Sequence, residues 1–225
     1  ITVTPVGAFV NGSFENGPPT SFGAPQSWSA TGVVTYFDAT NYLPAASNGT
    51  WMAVFNPGAY TPSVSTLSQT FATVAGQAYS VTFDAALAGG TGSKLQTLQA
   101  EVSGESNPPA TRTWAITSTG PVANWTENLD QTFTFTATGT AVTLTFRVDI
   151  SAGGAASNVD LLLDDVRVEV AIIPNLAPVA VDDGTAGAPL VTIAEDSGAT
   201  APISVLANDS DPNLDPLTIT QAGSL

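Results

Sequence analysis

Residues 131–150 read Gln-Thr-Phe-Thr-Phe-Thr-Ala-Thr-Gly-Thr-Ala-Val-Thr-Leu-Thr-Phe-Arg-Val-Asp-Ile. From Val142 onward, Val142, Leu144, Phe146, Val148 and Ile150 share one face, and Thr143, Thr145, Arg147 and Asp149 share the other. That period of two is the mark of a half-buried strand. Upstream, Phe133 and Phe135 alternate with Thr132, Thr134 and Thr136 in the same way. The segment Thr138-Gly139-Thr140-Ala141 between them has the look of a hairpin turn, so the two runs are expected to pair.

Working outward, further strands are read at Tyr79, Val81, Phe83 and Ala85, across 49–55, and across 161–170 with Val166, Val168 and Val170 on one face. Turn residues separate these runs, notably Asn56-Pro57-Gly58, Gly89-Gly90 and Asn107-Pro108-Pro109. Threonine supplies 31 of the 225 residues, and Lys, Arg, Glu and Gln are scarce. Thr and Val crowd Cβ and suit a pleated surface. No helix is read. Short strands with such turns predict an all-β fold, an antiparallel jelly-roll β-sandwich.

Hydrophobic residues make up 43% of the chain, enough for a core, while charged residues make up only 10%. Four basic residues face 19 acids, for a net charge of −15. Nucleic-acid binding needs clustered Lys and Arg, so that class is excluded, and anionic membranes are disfavoured for the same reason. With neither Cys nor His, thiol chemistry, disulfides, imidazole ligands and His bases all fall away. A metal site would have to be built from oxygen, which favours calcium. No apolar run of about 18 residues is present, so no membrane insertion is expected. A chain that opens Ile1-Thr2-Val3 with no signal peptide is read as processed or trimmed.

A boundary falls at Ile173-Pro174-Asn175-Leu176-Ala177-Pro178, where two prolines stiffen the chain. The expected organisation is a first domain over 1–173, a proline linker over 174–178 and a second segment over 179–225. The second segment carries seven acids and no base. Strands are read in it at 190–194, 202–206 and 216–220. Three strands without a covering layer make a poor core, so this segment is read as the front part of a sandwich.

Val10-Asn11-Gly12-Ser13-Phe14-Glu15-Asn16-Gly17 followed by Trp28 resembles the galactose-binding-like jelly rolls of bacterial secreted proteins, which include many carbohydrate-binding modules. The resemblance continues at Ser47-Asn48-Gly49-Thr50-Trp51, at Leu67-Ser68-Gln69-Thr70-Phe71, at Ala75-Gly76-Gln77-Ala78-Tyr79, and at Leu163-Asp164-Asp165-Val166. From Asn175 the chain is similar to the immunoglobulin- or cadherin-like repeats of large bacterial adhesins. Ala177-Pro178-Val179-Ala180-Val181-Asp182-Asp183 and Val205-Leu206-Ala207-Asn208-Asp209-Ser210-Asp211-Pro212 carry that likeness. The fold implied is a jelly roll followed by a partial immunoglobulin/cadherin-like β-sandwich.

The first resemblance implies a structural calcium that links the two ends of the jelly roll through Glu15 and Asp164, with backbone oxygens near Asn48 completing the shell. Asp164 is preferred to Asp165 because alternation places it with Val166 and Val168, and a carboxylate on an apolar face needs a partner or a metal. The alternative is a solvated strand-end acid and a turn-capping Glu. Asp209, Asp211, Asn213 and Asp215 are spaced by two, so their oxygens are further calcium candidates, with an ordinary acidic turn as the equal alternative. Leu214 and Thr220 replace the Gly and Glu that an EF-hand requires. Asp182 and Asp183 are weaker candidates.

Trp28, Trp51, Trp114 and Trp125, with Tyr36, Tyr42 and Tyr60, are the possible sugar platforms, because aromatic faces suit the C–H side of a pyranose. Trp51 reads as core, and Trp28 and Trp125 as structural, which leaves Trp114 and Tyr36 as ligand candidates against ordinary packing. Sequons at Asn11, Asn48, Asn124 and Asn208 are read as chance. Glu127 and Asp130 lack any supporting signature of a glycosidase pair, so an enzyme is not expected. The sequence therefore predicts a calcium-stabilised, extracellular or cell-surface adhesion module that binds glycans. The alternative is a fibre subunit, assembled head to tail as Ile1-Thr2-Val3-Thr4 of one copy completes the half-sandwich of its neighbour.

Overall fold

The computed structural model describes residues 8–17, 24–38, 45–55, 64–89, 93–105, 109–119, 125, 128–149, 159–171, 176–184, 191–192, 195–196, 198, 204–212 and 215–219. The contacts divide the chain into two units, Ile1–Ala171 and Ile172–Leu225.

In the first unit, alternating Thr/Val/Phe runs form ten strands: β1 (Ser29–Thr31), β2 (Val34–Asp38), β3 (Trp51–Phe55), β4 (Val64–Ala72), β5 (Ala78–Ala88), β6 (Lys94–Ser103), β7 (Arg112–Ser118), β8 (Gln131–Thr136), β9 (Ala141–Asp149) and β10 (Asp160–Val170). They build two five-stranded sheets, ordered β1-β4-β9-β6-β7 and β2-β3-β10-β5-β8. Every pairing is antiparallel. The result is an all-β jelly-roll sandwich. No helix among the described residues is long and apolar enough to cross a membrane.

The apolar faces meet between the sheets, where Phe14, Phe55, Phe83, Leu98, Phe146 and Leu161 are fully buried. A second, smaller cluster of Met52, Val54, Ala86, Ala88 and Leu162 lies apart from this core, with Phe37, Ala46 and Trp125 packed against it. Strands β3, β5 and β10 supply both clusters, which is why Met52 to Phe55 and Leu161 to Leu163 are apolar without alternation.

The hairpin expected at 138–141 does not form. Strand β8 pairs with β5 in one sheet, whereas β9 lies between β4 and β6 in the other. The intervening residues cross from sheet to sheet, a gap of about 10 Å that about four extended residues span. Neighbouring turns hold the crossing: the Thr138 amide donates to the Gly104 carbonyl at 2.7 Å, and the Ala137 amide to that of Gln77 at 3.0 Å. Crossing lets Phe135 and Leu144 enter the same core from opposite sheets.

In the second unit, the described parts of the expected strands at 190–194, 202–206 and 216–220 are irregular, and the regular pairing described is an isolated bridge between Val179 and Ser210. Leu176, Val179, Val181 and Ile219 remain 48–58% exposed. The partial immunoglobulin/cadherin-like sandwich is not formed by the described residues. Ile1 to Thr4, the expected donor strand, lie outside them, as do Tyr42, Tyr60, Asn124, Glu127, Asn213 and Leu214.

Candidate functional site

The incoming segment 8–17 runs past the last strand. The Val166 amide donates to the Gly12 carbonyl at 3.0 Å. A Cβ at Gly12 would sit 1.8 Å from the Val166 oxygen, so only glycine permits the approach. This contact places Glu15 beside the loop 47–51, where its Oε1 accepts the amides of Thr50 and Trp51, both at 2.8 Å. Gly49 makes the turn at φ +77°, with Glu15 Oε1 2.4 Å from where a Cβ would stand.

Asp164 grips the other side of that loop. Its Oδ2 accepts the Asn48 amide at 2.9 Å and the Ser47 hydroxyl at 3.1 Å, and its Oδ1 accepts the Asp165 amide at 2.7 Å. The Asn48 side-chain amide donates to Asp165 Oδ1 at 2.8 Å. Asp164 is fully buried, and burial pushes its carboxyl up to about 7 against the opposing pull of those donors, with the neighbouring Asp165 charge adding to the rise. The two acids thus strap one loop across the chain's entry and exit strands.

The face expected for Asp164 is corrected. The β10–β5 register shifts between Asp164 and Arg167, and Asp165 adopts φ +47°. This bulge reverses the alternation: Leu161, Leu163 and Val166 face the main core, while Leu162 joins the smaller cluster. Asp164 stands opposite Asp84 on the side of Leu162, not with Val166 and Val168. Its burial comes from the 47–48 loop. Carboxylate oxygen is what calcium takes, but the lone pairs of Asp164 already meet three donors. Among the described residues no three acids converge as a cation cage. The geometry described is a hydrogen-bonded strap.

In the second unit, Asp209 Oδ1 accepts the Val181 amide at 2.8 Å, and Asp211 Oδ1 accepts the Asp215 amide at 3.2 Å. These three acids, with Val179, Leu206 and Pro216, line a cavity of about 390 Å³. The carboxylates of Asp209 and Asp211 cap backbone, as in an acidic turn.

Tyr36 is corrected from ligand candidate to core: it is 2% exposed and stacked on Trp51, with ring centroids 4.3 Å apart. Trp28 is buried and donates its indole N–H to the Asn11 carbonyl, and Trp125 donates to that of Ala45. Trp114 differs. It is half-buried on β7, at the end of its sheet, against Phe83 at 5.0 Å and against Phe133 of the other sheet's end strand, β8, at 5.6 Å. The Arg112 guanidinium lies 4.6 Å over the Phe133 ring. Both terminal nitrogens of Arg112 reach Glu105 at 2.7 Å, and one also donates to the Thr134 carbonyl at 2.9 Å. Two strands that end their sheets among the described residues therefore present one aromatic and polar rim. Sequence reading missed Arg112, Glu105 and Phe133, since it assigned β8 to the wrong sheet. Asp130 pairs with Arg167 at 2.6 Å, and Glu127 lies outside the described residues.

A family model described as Protein of unknown function (DUF642) matches residues 7–169. No curated protein matches the chain. Among solved structures, the chain is similar to TmCBM61 in complex with β-1,4-galactotriose, at 18% identity over 74% of this chain and 99% of that one, TM-score 0.48. It is also similar to the N-terminal cellulose-binding domain of Cellulomonas fimi β-1,4-glucanase C, at 19% identity over 76% and 99%, TM-score 0.44. A third likeness is to the K1 cleaved adhesin domain of Lys-gingipain from Porphyromonas gingivalis W83, at 16% identity over 71% and 96%, TM-score 0.46.

Proposed function

We propose, for a chain that belongs to the DUF642 family through residues 7–169, that the sandwich is a non-catalytic extracellular or cell-surface module that binds carbohydrate at the Trp114 rim. The observation that carries this reading is the half-buried Trp114–Phe133 pair on the end strands of the two described sheets, with the Arg112–Glu105 pair beside it. Aromatic rings take the apolar face of a sugar, and oriented polar groups take its hydroxyls. Trp114→Ala is expected to weaken binding to a polysaccharide panel about tenfold, equivalent to about 1.4 kcal/mol, and to lower the melting temperature without unfolding the domain, because the ring packs on Phe83. Should that variant unfold, Phe133→Leu keeps core volume and removes the ring. Retention of full affinity by a folded variant places the site elsewhere.

Calcium belongs to this reading as a proposed stabiliser at Glu15, Asp164 and Asn48. Its support is the charge chemistry: Asp164 is buried next to Asp165 and opposite Asp84. Calcium bound to the native state would raise the melting temperature by mass action, and Asp164→Ala would remove that response. An unchanged melting curve in excess chelator means that the hydrogen-bonded strap suffices.

The competing proposal is a self-associating fibre subunit. Its support is the apolar surface that Leu176, Val179, Val181 and Ile219 leave exposed in the second unit. Light scattering on the chain with and without residues 1–5 checks it: a monomer at high concentration removes the fibre.

A further inference from the structure

The chain has four basic side chains, and each of its three arginines pairs with an acid. Arg112 is the one at the aromatic rim. Its Nη1 donates to Glu105 Oε1 at 2.7 Å and to the Ala110 carbonyl at 3.2 Å. Its Nη2 donates to Glu105 Oε2 at 2.7 Å and to the Thr134 carbonyl at 2.9 Å. A guanidinium has five N–H donors, four of them terminal, so these bonds use every terminal one. Glu105, only 7% exposed at its side chain, neutralises the charge as a fork matched to a fork. Arg147 is bound by Gln99 and Asp149, and Arg167 by Asp130 and Asp165. Lys94 is 6% exposed.

A carboxylated or sulfated polysaccharide is held by cations with donors to spare. At this rim Arg112 has no terminal N–H to spare, and the chain carries a net charge of −15. A polyanion approaching it is repelled over a distance of about 10 Å at 0.1 M salt. A neutral sugar meets no such barrier. Its ring C–H groups face Trp114 and Phe133.

We infer that the Trp114 rim selects neutral glycans and rejects anionic ones, through the complete internal pairing of Arg112. The inference rests on the carbohydrate-binding reading and names the ligand class of the same site. The test is binding of the full chain to immobilised neutral polysaccharides (β-glucans and galactans) and to polygalacturonate, at about 20 mM and about 500 mM salt. The expected result is binding to at least one neutral polymer with the same affinity at both salt levels. Binding to polygalacturonate should be at least about tenfold weaker at low salt. Polygalacturonate binding at low salt that equals the neutral polymers and fades at high salt overturns the inference while leaving carbohydrate binding intact. Silence from both classes overturns the carbohydrate-binding reading itself, and the selectivity with it.

Discussion

Gly49 is held by two independent constraints, a left-handed φ of +77° and the Glu15 carboxylate 2.4 Å from its missing Cβ. Gly49→Ala is therefore expected to cost about 1–3 kcal/mol. In a domain of this size that lowers the melting temperature by about 2–4 °C per kcal/mol. Gly139→Ala is the control, since nothing lies within 4 Å of its Cβ position, and differential scanning fluorimetry of the two variants checks the contrast. Asp160 gives a prediction of pH dependence. Burial pushes its carboxyl up to about 6, so the unfolded chain releases this proton before the folded one does. Stability from this group is present at low pH and is lost as pH rises from about 4 to about 6. Asp160→Asn should remove that part of the slope and melt higher than the parent at pH 8. Denaturation series from pH 4 to pH 8 decide it; parallel curves for parent and variant sink the assignment.

Strand β8 sets the argument at the scale of elements. Its six residues carry no charge, alternate aromatic with β-branched side chains, and lie at the edge of a sheet. Such an edge invites pairing with another chain. Arg112 stands against it, bonded to the Thr134 carbonyl and lying over Phe133. Arg112→Ala is expected to associate faster with concentration in light scattering, and to melt below the parent because buried Glu105 loses its partner. Monodisperse behaviour like the parent's would show that the edge is guarded by something else. The alternation of β8 and β9 was plain in the sequence, because their two faces differ so sharply in polarity. Their sheet membership was not, since Thr138-Gly139-Thr140 is a local signal and the choice of partner strand is not. Asp164 is parallel: its burial was legible, but its face was reversed by one left-handed residue that Asp-Asp-Val does not announce. Tyr36 was misread from residue type alone, although its spacing from Val34 already pointed inward.

At the scale of the molecule, the first unit holds the sandwich and the main core, and the second has a single isolated bridge among its described residues. A chain ending at Ala171 should therefore melt within a degree or two of the full chain; a loss beyond about 1 kcal/mol would make the second unit part of the sandwich's stability. The strap has a further meaning under mechanical load. Tension applied at the C-terminal end would first peel Arg167 to Val170 from β5, one rung at a time. The pull would then reach the bulge at Asp165, where the Gly12 bond, the Asp164 bonds to Ser47 and Asn48, and the Asn48–Asp165 bond all bear force together. Bonds loaded one by one yield gradually, whereas bonds loaded together fail as a unit. Stretching this chain would therefore measure, after the last rungs of β10, the grip of Asp164 and Asp165 on one small loop.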